Sequence, residues 1–525
     1  MDLIIRGGTV VDGTGRPRVR ADVGVAGGMI AEVGDLSTAG AAQILDADGL
    51  VVAPGFIDIH SHSDFTLLVD PRAQSSISQG VTTEVIGNCG HGCAPMSAIE
   101  LCRGNIYGYT PDVPITWRTF REYLARLEEV QPAVNVAALV PNGNLRLAVV
   151  GLADRPATAR ELSEMAKLLE SGLLAGAFGY STGLEYATER ACGEAEITAL
   201  CRVAAEGGGL YATHTRNRDV SALAAIEEAI RTAEHAGVRL QISHIIPRRV
   251  RGSDLAAQAV ALVDQARARG VDAAFDAHTR LHGITNLSAC LPPWALAGDT
   301  AEIAARLRDP AARARMKQYG SIISSFGLGG WDRVTLFRSD RRPELVGRSF
   351  QELATGARDP WDAIYDVLLA EIDDLHRPLC LCHAYDEGDL RTTYEHPHCA
   401  IGSDATALAL DGPLAGSTFL GAFTWVGWFF RRFVREDARF TLEEAVHKLT
   451  ALPAERLRLQ GRGVLCEGAW ADVVAFDPGR FEERGTLEDP NRPAAGMSHV
   501  VVNGCVTVAQ GSATGRRGGT VLRRT

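Results

Sequence analysis

Lysine is nearly missing from this chain: in 525 residues only Lys167, Lys317 and Lys448 occur, although lysine and arginine together number 53. That scarcity removes lysine from most mechanistic roles. No run of about 18 apolar residues is present, so no membrane span is expected. Positive charge is in deficit, and a net charge of -11 argues against nucleic acid or an anionic membrane surface as the main partner. The eleven cysteines follow no repeating frame. The opening MDLIIRGGTVVDG alternates and turns within a dozen residues, unlike a secretory leader. The cysteines therefore read as reduced thiols of a cytoplasmic protein, one or two of them available to a metal.

What remains is the composition of a soluble globular enzyme, 46% hydrophobic and 22% charged, too long for one small domain. Residues 1–53 are short alternating apolar stretches broken by glycine (LIIRGGTVVDG, ADVGVAGGMIAEVG, AQILDADGLVVAPG) and predict strands of a small β unit. The far end repeats the style in ADVVAFDP and SHVVVNGCVT. Neither segment holds a core of its own. One small β-sandwich built from residues 1–53 and 455–525 is expected, with a mobile tail after about Gly511.

Residues 54–454 alternate short apolar runs with helical patterns such as ATARELSEMAKLLESGL, the order of βα units and a parallel sheet. Eight strands are expected, in GFIDIHSH, TTEVIGNCG, NVAALVPNG, GAFGYSTG, GLYATHTR, RLQISHI, DAAFDA and CAIGSDA. Each is apolar until its last residues and then turns polar. In a (β/α)8 TIM barrel the active site lies at the carboxyl ends of the strands, so these polar residues belong to one site. The stretch 283–375 is too long for a βα loop and is expected as an insertion covering the barrel mouth.

His60 and His62 stand two apart at the end of the first expected strand, where residues i and i+2 face the same way. Alone, such a pair is as often chance as a ligand pair. His214 ends the fifth expected strand, His244 the sixth and Asp404 the eighth. Four histidines and an aspartate at one barrel mouth form a donor set, and imidazole with carboxylate suits zinc best among the common metals.

These motifs resemble those of the amidohydrolase superfamily, and within it the N-acyl-D-amino-acid deacylases. Matching stretches run from GGTVVDGTG through PGFIDIHSH, QGVTTEVIGNCG, STGLEY, GGLYATHTR, LPPW and IGSDA to VVVNG, nearly the whole chain. The resemblance implies the same barrel and terminal β-sandwich. It also implies that Cys89, in GNCG, stands in for the carboxylated lysine that bridges two metals in many members. None of the three lysines can play that part, since two lie in helical patterns and one in the insertion. A thiolate binds zinc at neutral pH because the metal depresses its pKa.

By the same resemblance Cys89, His214 and His244 hold the tighter zinc, while His60, His62 and Asp404 surround a second, weaker position. The sequence leaves open whether both fill. Asp404 is expected to take the proton from a zinc-activated water and deliver it to the departing nitrogen of an amide. Asp58 is expected to orient a histidine ligand, and Tyr186 matches a substrate-facing position.

The chain departs from the resembled deacylases in their grip on the substrate carboxylate. A lysine expected two residues past the sixth-strand histidine is Ile246, and an arginine expected after strand eight is Gly421. A Tyr-Pro-Tyr expected after strand seven is His278-Thr279-Arg280. Losing a charge-assisted hydrogen bond to a carboxylate costs roughly 1.5–3 kcal/mol. Two uncompensated losses would lower kcat/KM on simple N-acetyl-D-amino acids by about two to four orders of magnitude. Arg248, Arg249 and above all Arg280 are the compensating cations on offer, with His278 and His282 expected to line the pocket.

Two other readings stay open: a cyclic-amide hydrolase, disfavoured by the missing bridging lysine, and a non-catalytic metal-binding barrel, disfavoured because no ligand is lost. The expected partner is a small-molecule amide, and the sequence does not decide whether the chain forms a homo-oligomer.

Overall fold

The computed structural model describes residues 1–248, 254–356 and 358–524. All eight expected barrel strands form: β1 (Phe56–Asp58), β2 (Val81–Ile86), β3 (Asn135–Pro141), β4 (Gly179–Gly183), β5 (Leu210–His214), β6 (Arg239–Ile242), β7 (Ala273–His278) and β8 (Cys399–Gly402). They pair in parallel in chain order. A bridge between Ser61 and Ala405, and a bond from the Asp404 N–H to the His60 carbonyl at 2.8 Å, draw β1 and β8 together into a nearly closed barrel.

Sequence pattern explains these elements. In β3 every residue of NVAALVP is buried, as in a parallel strand covered on both faces. The helix Ala159–Leu174 begins on a capping box between Thr158 and Glu161 and buries Met165, Leu169 and Leu173 at four-residue spacing. At the end away from the site, Leu452 and Leu457 of the helix Ala451–Leu457 pack with Val85, Leu139, Phe178 and Leu210 from inside the barrel. The hydrophobic plug holds the lower barrel rigid, and a rigid barrel fixes the strand ends above it. None of the helices among the described residues is long and apolar enough to cross a membrane.

Strands from both ends of the chain join in one nine-stranded sheet. Val52 and Val473 face each other's strands across its middle, and the sheet curls around a core shared by Val23, Ile30, Val501 and Val506. The final residues are not loose, contrary to expectation. The Thr520 carbonyl accepts from Val136 at 2.9 Å, the Leu522 N–H donates back to Val136 at 2.8 Å, and Arg524 donates to Gly176 at 3.0 Å. The tail stays because it satisfies backbone groups of the barrel that would otherwise be left open.

Between β7 and β8 the chain builds a three-stranded antiparallel sheet from His282–Asn286, Val334–Arg338 and Leu379–His383, with helices between. Ile284, Ile322 and Phe326 of this segment form a roof over the site.

Candidate metal centre

The donors leave the barrel at or just beyond its strand ends. His214 closes β5, while His60, His244 and Asp404 each follow their strand by two residues. Cys89 sits in the tight turn Asn88–Gly90 after β2. Cys89, His244 and Asp404 have left-handed backbone, with φ of 54°, 35° and 46°. Such positions cost on the order of 1–3 kcal/mol each and persist only where the surroundings over-determine them. Here they are over-determined. Asp276 Oδ1 accepts the His244 N–H at 2.7 Å, and the His60 carbonyl accepts that of Asp404. Gly87 (φ 79°) lets the Cys89 turn lie against β3, where a Cβ would overlap the Leu139 carbonyl.

One ligand atom from each of His60, Cys89, His244 and Asp404 lies within 4.8 Å of the others. Cys89 Sγ is 3.2 Å from His60 Nε2 and 3.5 Å from His244 Nε2. Asp404 Oδ1 is 3.2 Å from His62 Nε2 and 3.5 Å from His60 Nε2. Burial pushes the Cys89 thiol up, but the neighbouring imidazoles of His60 and His244 outweigh it and hold the group well below the usual thiol range. Burial also raises Asp404, yet the Arg280 guanidinium and the His62 bond carry it well below the usual carboxylate range. The centre is thus a place where anionic sulfur and oxygen are favoured.

The residues fit zinc. The set is nitrogen, sulfur and oxygen at one point, and His214 Nδ1 is buried with no hydrogen-bond partner among the described residues. The His214 ring has its outer nitrogen on a carboxylate, Nε2 to Glu185 Oε2 at 2.8 Å, as a metal-binding imidazole commonly does. Lysine does not reach the cluster. Lys448 is buried against the His396 carbonyl at 2.7 Å, Lys317 pairs with Asp359 at 2.5 Å, and Lys167 lies on the helix Ala159–Leu174.

Several expected roles need correction. Asp58 does not hold an imidazole: its Oδ1 accepts the backbone N–H groups of His60 at 3.2 Å and Ser403 at 2.9 Å, tying β1 to β8. The His60 ring is instead oriented by Asp276, whose Oδ1 is 3.0 Å from Nδ1. Asp276 had one visible signal, an acid inside the otherwise apolar β7. Arg248 is not free for substrate, because it grips both oxygens of Glu185. Arg280 is not free either: it donates to Asp404 Oδ2 at 2.6 Å and to the carbonyls of Ser403 and Asp404. Gly421 explains its position, since a Cβ there would come 3.1 Å from the Arg280 guanidinium. Arg249 lies outside the described residues.

His278 is buried, its ring 4.7 Å from Tyr385, and the His282 ring faces His383 at 5.0 Å. Tyr186 does face the site, 5.0 Å from the His214 ring and edge-on to His91 at 4.4 Å. Tyr186 and Tyr107 also border a cavity of about 330 Å³ that runs beneath the insertion past Leu101, Leu152, Leu296 and Ile303. The sequence reading missed Glu185 and Arg218. Glu185 adjoins Tyr186 in STGLEY, and Arg218 follows His214 by four residues, close enough to a donor for either to be noticed.

The Amidohydrolase family profile matches residues 43–322 and 383–508, leaving out 323–382 in the segment between β7 and β8. An N-acyl-D-glutamate deacylase of Alcaligenes xylosoxydans xylosoxydans is 36% identical, covering 100% of this chain and 97% of its own. Among solved structures, a D-aminoacylase studied for the role of its binuclear metal centre superposes with a TM-score of 0.83 at 32% identity, covering 100% of both chains. An N-acyl-D-glutamate deacylase from Bordetella bronchiseptica, complexed with zinc and a phosphonate inhibitor, gives 0.82 at 33% identity, covering 100% of this chain and 99% of its own. The chain belongs to the amidohydrolase family, on the branch of the N-acyl-D-amino-acid deacylases, hydrolases of carbon–nitrogen bonds other than peptide bonds.

Proposed function

We propose that this protein is a cytoplasmic, zinc-dependent hydrolase of a linear amide, an N-acyl-D-amino acid or a related N-acyl amine. The observation that carries the reading is Asp404, whose two oxygens are held differently. Oδ2 is capped by Arg280 at 2.6 Å, whereas Oδ1 faces the imidazoles of His60 and His62 within the donor cluster. Zinc held at that cluster supplies the Lewis acidity that polarises a carbonyl and makes water nucleophilic near neutral pH. Asp404 Oδ1 takes the proton from the attacking water and returns it to the departing nitrogen, which amide cleavage requires because an amide anion is a poor leaving group. Arg280 keeps the carboxylate ionised and fixes which oxygen is available.

Cys89, His214 and His244 are assigned the tighter zinc, and His60, His62 and Asp404 a second, weaker one. His60 Nε2 lies 3.2 Å from Cys89 Sγ, so the residues that would hold the two metals are in contact. Tyr186, beside His214, is placed to meet the substrate, and the adjoining cavity has room for its acyl group. The test is a panel of N-acetyl amino acids of both hands and matched N-acyl amines, with amine release followed by chromatography. Release by zinc-loaded protein, lost on chelation and restored by zinc, is expected. Stoichiometric zinc with no release from any of them would contradict the reading.

A further inference from the structure

Among the described residues three arginines are buried at the barrel mouth, and their charges are not equally spent. Arg248, 4% exposed, is met by Glu185 and, at 3.8 Å, by Asp219, and Arg280, 7% exposed, by Asp404. Arg218 is equally buried, at 6%, yet no carboxylate among the described residues lies within ion-pair distance of it. Its Nη2 donates to two neutral groups, the carbonyls of His244 at 2.8 Å and Ile246 at 3.0 Å. Its Nε is buried with no hydrogen-bond partner. The guanidinium lies over the Tyr385 ring, 5.6 Å from the centroid, and lines the same pocket as His62, His244 and Asp404.

A desolvated guanidinium without a directly paired carboxylate is costly, and the roof residues Ile284, Ile322 and Phe326 that share its pocket offer it no acceptor. An anion from outside the chain is what relieves that cost. We infer that Arg218 binds the carboxylate of the substrate, using the N–H groups its carbonyl contacts leave free. This assignment rests on the amide-hydrolase reading above. Because Arg218 hangs on the carbonyl of His244, itself in the donor cluster, it holds the anion one side chain away from the reacting carbonyl. A guanidinium suits the task, since its planar fork matches a carboxylate in a way an ammonium does not.

The test compares zinc-loaded wild type, Arg218→Gln and Arg218→Lys on two substrates with the same acyl group and side chain, one bearing the carboxylate and one lacking it. In Arg218→Gln the ratio of kcat/KM values in favour of the carboxylate substrate should fall by about 10- to 100-fold, the worth of one charge-assisted hydrogen bond. Arg218→Lys, which keeps the charge but not the fork, should lose only part of it. An unchanged ratio in Arg218→Gln with full zinc content would overturn the assignment. Should the glutamine variant fail to retain zinc, an unchanged ratio in Arg218→Lys does the same. Should wild type turn over neither substrate, the amide reading fails by itself, and calorimetry with 4-methylpentanoate and its amide decides about Arg218. Tighter binding of the carboxylate, lost in Arg218→Gln, supports the assignment, and equal binding of the two probes overturns it.

Discussion

The floor of the site and its rim use the same strand ends but handle charge in opposite ways. On the floor, Cys89, the histidines and Asp404 converge until anionic and imidazole groups touch, a gathering that needs a cation to complete it. On the rim, among the described residues, Arg248 is met by Glu185 and Asp219 and Arg280 by Asp404, while Arg218 has no carboxylate at ion-pair distance. The floor asks for a metal and the rim for an anion, and a substrate that carries a carboxylate beside an amide meets both. Neither demand can be read from the number of charged residues, only from which of them are already paired.

That contrast can be broken at several points. Asp404→Asn should cut kcat by roughly 10²–10⁴-fold, the usual contribution of a positioned acid–base group, while the tighter zinc and the fold persist. Steady-state kinetics beside metal analysis check it, and near-normal kcat with zinc retained would assign the proton transfer elsewhere. Asp276→Asn should cost about 10–100-fold in zinc affinity or activity, because it frees the His60 ring and the His244 backbone together. A zinc-buffered activity titration measures it, and an unmoved titration would show that the cluster holds its shape without β7.

Arg280→Gln sharpens the contrast within the rim. Burial raises the Asp404 carboxyl and Arg280 is the foremost group lowering it, so removing the guanidinium should raise that pKa. A base must be deprotonated to act, so the acid limb of the kcat/KM profile should move to higher pH, with little change in the preference for carboxylate substrates. If the preference collapses instead and the limb stays, Arg280 is the substrate's grip and the division among the arginines is wrong.

How far the sequence carries differs between floor and rim for a physical reason. Barrel strands announce themselves as short apolar runs that turn polar at one end, and a donor such as His214 or Asp404 is marked by standing at that turn. Partnerships are not marked. Asp58 and Asp276 are both acids on barrel strands close to His60 in space, and only the folded geometry shows that Asp276 meets the ring while Asp58 meets backbone. Arg280 attracts attention just past a strand end, yet its value as a substrate anchor vanishes once Asp404 is found beside it. Arg218 is the converse, unremarkable in THTRNRD and informative only because no acid among the described residues pairs with it. The tail fails for the same reason: its glycines and arginines look like loose chain, but backbone pairing with Val136 depends on no side-chain pattern at all.

The central claim is that Cys89 anchors a zinc centre on the barrel floor. Zinc content of purified Cys89→Ala, measured by atomic emission beside wild type, tests it most directly. Wild type should carry at least about one zinc per chain, as a site of this donor set does. The variant should lose nearly all of it while its circular dichroism stays native, since a buried Cys-to-Ala change removes little else. Undiminished zinc in a folded Cys89→Ala protein would contradict the account.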